Sequence, residues 1–168
     1  MAGADEIEAA IRRLSRLRLL IGIPQEKDPR QGEPIGNASL GYIHEFGSPA
    51  RNIPPRPFLI PGVRAALPQI TDKLRAGARE ALRGDEQAIR NRMGEAGAEG
   101  VRSVTRGIQA GGPPGTKWPA LKPATVARRR QRSPGSSYRR KAQTAADVTP
   151  LIDTGALIRS VTWVIRNK

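Results

Sequence analysis

Apolar residues open the chain at Ile7, Ile11, Leu14 and Leu17, spaced by four, three and three. That is the period of one helix face, and it predicts an amphipathic helix whose stripe faces a core. Asp5 and Glu6 come early and Arg12, Arg13 and Arg16 late, so the charges match the helix dipole. Leu19 to Ile23 is a short continuous apolar run and reads as a buried strand ended by Gly22 and Pro24. From Pro24 to Asn37 the chain is polar and reads as an exposed loop.

Asn37 or Ser39 can cap a second helix through Tyr42, Ile43 and Phe46, with Gly47 and then Ser48-Pro49 as its stop. The four prolines of Ile53 to Pro61 disfavour helix and ladder pairing alike, so this stretch is expected to run extended, with Phe58 and Ile60 against the core. A third helix is expected from about Gly62 to Arg83 on the stripe Ile70, Leu74, Ala78 and Leu82, with Pro68 near its start or at a kink. Gly84-Asp85 ends it and caps a fourth, from Asp85 to Ile108. It places Ile89, Met93, Ala96 or Gly97, Gly100 or Val101, Val104 and Ile108 on one face, so small residues alternate with large and a neighbour can approach closely, at some cost in propensity from Gly94, Gly97 and Gly100.

From Gly111 to Ala146 aliphatic residues nearly vanish, apart from a short expected helix after Pro123. The pattern recovers at Leu151-Ile152, where Asp153 or Thr154 can cap one helical turn through Leu157. Ser160 to Arg166 then reads as a strand with Val161, Trp163 and Ile165 on one side. The expected class is α+β: about four helices and short antiparallel strands around a small aliphatic core. Residues 1–110 form its body, 111–147 an extended basic arm or loop, and 148–168 a turn and strand returning to the core.

Composition narrows the chemistry. The chain of 168 residues has no Cys and a single His, so disulfides, thiolate sites, cysteine nucleophiles and histidine-based zinc sites are excluded. No cofactor is expected. The acidic start and the brevity of the run from Leu19 to Ile23 give no readable leader or membrane span.

The formal charge of +14 is uneven. Residues 1–50 carry 6 basic and 7 acidic side chains, whereas Gly100 to Ala146 carry 11 basic ones and no acidic one. Arg128, Arg129, Arg130, Arg132, Arg139, Arg140 and Lys141 form its densest part. Such a block suits nucleic acid, an acidic protein surface, or a solvated self-repelling loop. Tyr138 alone is near enough to stack on a base.

Three motifs invite catalytic readings and fail on their context. Leu151 to Ala156 matches the Asp-Thr-Gly signature of retroviral-type aspartic proteases, but only 12 residues follow where a sheet and flap are needed. Gly112 to Trp118 lacks the glycine before Lys117 and the hydroxyl after it that a phosphate loop requires. His44-Glu45 starts like a zincin helix, but Ser48 stands where its second histidine would be. A structural use is expected for both residues, with Glu45 pairing Arg56.

Ala38-Ser39-Leu40-Gly41-Tyr42-Ile43-His44-Glu45-Phe46-Gly47-Ser48, followed by Ile53-Pro54-Pro55-Arg56-Pro57-Phe58-Leu59, resembles the hallmark of bacteriophage neck and tail-completion proteins, also called virion morphogenesis proteins. Trp118-Pro119-Ala120-Leu121-Lys122-Pro123-Ala124-Thr125 is similar to that family's Pro-x-Leu-x-Pro-x-Thr segment. Pro150 to Val161 is similar to its Leu-x-Asp-Thr-Gly-x-Leu-x-x-Ser-Ile segment. Ala120 departs from the large or proline residue common there, and the stretch Ser133 to Asp147 is a long insertion.

The resemblance implies a non-enzymatic subunit of the virion, assembled in the host cytoplasm into a six- or twelvefold ring of identical copies at the head-tail junction. Neighbouring connector or tail proteins, and packaged DNA without sequence preference, are its implied partners; a membrane is not. Glu45, Phe46, Gly47, Arg56, Pro57 and Phe58 are expected to fix a helix-to-extended corner. Asp153, Thr154, Gly155 and Leu157 are expected to fix the C-terminal turn, and the arginines from Arg128 onward, with Lys141, to contact partners or DNA. The reading from another class is a small basic nucleic-acid-binding protein with no virion role.

Overall fold

The computed structural model describes residues 3–25, 35–132 and 149–168. Among these, seven helices and two strands make an α+β fold. In chain order they are α1 (Ala4–Arg16), β1 (Leu17–Gly22), α2 (Asn37–Phe46), α3 (Leu59–Ala65), α4 (Leu67–Leu82), α5 (Glu86–Gln109), α6 (Pro123–Arg132), α7 (Ala156–Ser160) and β2 (Thr162–Asn167). No helix among the described residues is long and apolar enough to cross a membrane.

The 24-residue α5 is the spine, touching α3, α4 and both strands. Asp85 starts it as expected, its carboxylate accepting the Ala88 N–H at 3.0 Å. The strands pair antiparallel, with Ile21 opposite Trp163 and Leu19 opposite Ile165. Alternation sends these four side chains to one face, over α5. Contact is close because α5 carries glycine there: a Cβ at Gly97 would stand 2.5 Å from Cγ of Trp163, and one at Gly100 would overlap Ile21. The small-residue face expected of this helix is thus the seat of the sheet.

The largest buried cluster joins Phe58, Val104, Ile108, Trp118, Leu151, Leu157 and Val161. It gathers side chains from α5, α7 and four connections, so the segments between elements are built into the core. Residues 111–122 form turns and irregular chain, and α6 follows from Pro123, where a short helix was expected; Trp118 and Val126 are buried, so this stretch packs on the core. The remainder of the basic arm, from Ser133 to Asp147, lies outside the described residues, as does most of the expected loop from Pro24 to Asn37.

Several expectations need correction. The third helix is two, α3 and α4, parted at Ala66, and it begins at Leu59 rather than Gly62. Pro61 sits in the first turn of α3 and Pro68 in the first turn of α4, where a missing N–H costs nothing. Ile60 is accordingly helical and exposed, not a core peg; Phe58 alone fills that role. The α2 cap is Gly36 with no side-chain bond, and Asn37 is buried inside the helix. Helix α1 buries Ala10 and leaves Ile7 and Ile11 exposed, while Leu17 has passed into β1. The last strand starts at Thr162 because Ser160 still belongs to α7.

Candidate functional site

The segments carrying the three sequence motifs meet around the end of α2. That helix stops at Gly47, whose φ of 79° lies in the left-handed region that a side chain disfavours. Ser48 and Ile53 then bridge each other around a 3-10 turn, Pro49–Arg51. The Arg56 N–H reaches back to the His44 carbonyl at 2.7 Å, so the chain folds onto α2 just before α3 begins.

This return sets the backbone of Phe58, Leu59 and Ile60 against the buried carboxylate of Glu45. Oε2 accepts the Phe58 and Leu59 N–H groups at 2.8 and 2.9 Å, and Oε1 accepts that of Ile60 at 3.1 Å. The next residue, Pro61, has no N–H, and Gly62 bonds normally to the Phe58 carbonyl. One carboxylate from a different helix therefore satisfies every free amide at the start of α3, where the helix dipole also favours negative charge. The expected partner, Arg56, is occupied elsewhere.

Arg56 is buried and reaches across the chain. Its Nε and one terminal nitrogen donate to the Pro119 carbonyl at 3.4 and 3.2 Å, and the same terminal nitrogen to that of Ala120 at 3.4 Å. The indole of Trp118 returns the link, donating to the Pro57 carbonyl at 3.1 Å. Arg-Pro-Phe and Trp-Pro-Ala are thus laced by side chains of each to the backbone of the other.

The third motif is tied in through α6. Arg129 donates to the Ile152 carbonyl at 2.8 Å and to that of Thr149 at 3.4 Å, and its Nε lies 3.7 Å from the Asp153 carboxylate. The turn that follows depends on Gly155, at φ 77°, which is the cap of α7 in place of Asp153 or Thr154. Thr154 still contributes: its hydroxyl accepts the Ala156 N–H at 3.2 Å, and its carbonyl accepts Arg159. Leu157 is buried in the main core against the cluster that contains Phe58.

His44 sits between these ties. Burial first, then the charges of Arg56 and Arg129, hold its pKa below the ordinary histidine value. The ring is neutral at pH 7, with Nδ1 buried and lacking a hydrogen-bond partner among the described residues. Among the described residues no group of three His, Cys, Asp or Glu side chains is placed to hold a metal ion.

Ten motif residues named from the sequence thus surround one junction, although Phe46 projects outward, its ring 4.8 Å from that of Tyr42. Of the seven basic residues assigned to partner or DNA contact, Arg128 is exposed and Arg129 is an internal brace instead. Arg130 and Arg132 belong to α6. Arg139, Arg140 and Lys141 lie outside the described residues. Sequence reasoning left Trp118 out of the site; its place beside the prolines of the second motif was the available signal. Compared with family models, curated proteins and solved structures, the chain matches none.

Proposed function

We propose that this chain is a structural subunit of a tailed bacteriophage or prophage virion. It completes the neck or the tail end within an oligomeric ring, so that head and tail join. What carries the reading is the convergence of the three motif segments: the residues behind the resemblance are those whose side chains bond one segment to another. Glu45, Arg56, Trp118 and Arg129 each direct polar atoms to backbone groups, an arrangement suited to bracing a subunit.

The test is electron microscopy of a lysate from a phage carrying an early stop codon in this gene. DNA-filled heads beside free tails of normal length support joining. Overlong or absent tails assign the subunit to tail termination, and intact infectious particles overturn the virion role.

The charge of +14 and the exposed Arg128 favour a second reading, sequence-independent binding of nucleic acid by the isolated chain. Gel shifts at two salt concentrations separate it: binding that collapses with salt supports it, and no binding at low salt removes it.

A further inference from the structure

Two surfaces on different elements are apolar, exposed and opposite in charge. The first lies at the α2–α3 junction, where Tyr42 and Phe46 of α2 and Ile60 of α3 are 47 to 67% exposed. The chain has six aromatic side chains (two Trp, two Tyr, two Phe), and two of them form this outward ring pair. Arg51, in the turn after α2, and Arg64, on α3, are exposed, and the only carboxylate between Gly36 and Thr71 is the buried Glu45. Water gains nothing from such a group of aromatics, whereas a partner does: buried aromatic anchors dominate binding energy at interfaces.

The second surface is the start of α1. Ile7 and Ile11 lie one turn apart and are 39 and 53% exposed, and the exposed Asp5, Glu6 and Glu8 surround the first of them. Asp5, Glu6 and Glu8 are the acids of the first sixteen residues; Glu8 pairs with Arg12 one turn on and Glu6 accepts the Gly3 N–H, so the acidic character of this apolar knob is concentrated in its first turn.

We propose that these two surfaces bind each other between copies: the acidic start of α1 in one subunit seats Ile7 and Ile11 on the Tyr42–Phe46 pair of the next, with its carboxylates toward Arg51 and Arg64. Two different patches make a head-to-tail contact, which closes into a ring or runs on as a filament, whereas one self-complementary patch would stop at a dimer. Opposite charges at the rim set the orientation and speed encounter. The contact deepens the ring reading above by naming its faces.

Light scattering and sedimentation of the purified full chain test it. The wild type is expected to be a multimer. Y42S/F46S and I7S/I11S, which alter only exposed side chains, are each expected to be monomeric alone and folded by circular dichroism. Mixed in equal amounts they form one-to-one dimers and nothing larger, because each supplies the face the other lacks. As a second pair, D5K/E8K and R51E/R64E are each at least tenfold weaker in self-association and recover it on mixing. A monomeric wild type, a variant that assembles normally alone, or mixtures that recover nothing overturn the contact. If free tails still accumulate in the stop-codon lysate, the virion role survives that failure; infectious particles beside successful mixing overturn the virion role alone.

Discussion

The indole N–H of Trp118 donates to the carbonyl of Pro57 at 3.1 Å, joining positions 61 residues apart. Next to it Arg56 donates to the Pro119 carbonyl, so the two segments hold each other by reciprocal bonds. Trp118→Phe keeps most of the buried ring but leaves the Pro57 carbonyl without its donor. The expected loss is about 1–3 kcal/mol, and Trp118→Ala costs about 3–5 kcal/mol through the added cavity. Urea unfolding followed by circular dichroism measures both; a Trp118→Phe variant as stable as the wild type would mean the hydrogen bond contributes nothing.

Glu45→Gln removes the charge and replaces one accepting oxygen with an N–H₂ group. One of the three amides at Phe58, Leu59 and Ile60 must then face a donor. Bonds of this kind to a charged group contribute about 1.5–3 kcal/mol, so a loss in that range is expected. Amide hydrogen exchange should rise first at Leu59 and Ile60, and unchanged protection there would contradict the capping role.

Stability should fall on mild acidification. The folded state holds the His44 pKa below its unfolded value of about 6.5, so the unfolded chain binds the proton more readily. Folding therefore benefits fully above that value, and the benefit is lost as pH drops from it through the folded pKa. His44 is the chain's only histidine, which makes this window its own. Urea midpoints at pH 7.5 and 5.5 should differ in the wild type and converge in His44→Gln.

Gly97→Ala gains up to about 1 kcal/mol of helix propensity but drives a methyl group into Trp163. Overpacking of this kind costs about 1–3 kcal/mol, and no flexible tip is there to yield, so net destabilisation is expected. A thermal midpoint at or above that of the wild type would mean the sheet can lift from α5.

Local signals served where the cause was local. The Asp85 cap, the Gly47 stop and the glycine face of α5 were legible because each acts on its own turn of chain. The start of α3 was not, because prolines argued against a helix and the group that stabilises it, Glu45, belongs to another element. Ile7 and Ile11 have faultless helical spacing, yet periodicity reports a helix face and not what covers it. Arg129 was hidden within a run of like residues; only the three-dimensional position of Thr149 and Ile152 separates the brace from its exposed neighbour Arg128.

The pairing of β1 with β2 has a kinetic meaning. Leu17 faces Asn167, and the Lys168 N–H bonds to the Arg16 carbonyl, so almost the whole chain is enclosed between the partners. Closing so long a loop is entropically slow, and a two-stranded ribbon has little stability until a helix backs it. Helices α4 and α5, adjacent in the chain, can pair early and present the glycine groove; Trp163 arrives last and locks the ribbon down. On the ribosome, β1 must therefore wait unpaired until β2 has emerged, and those late residues decide whether the earlier strand finds its place.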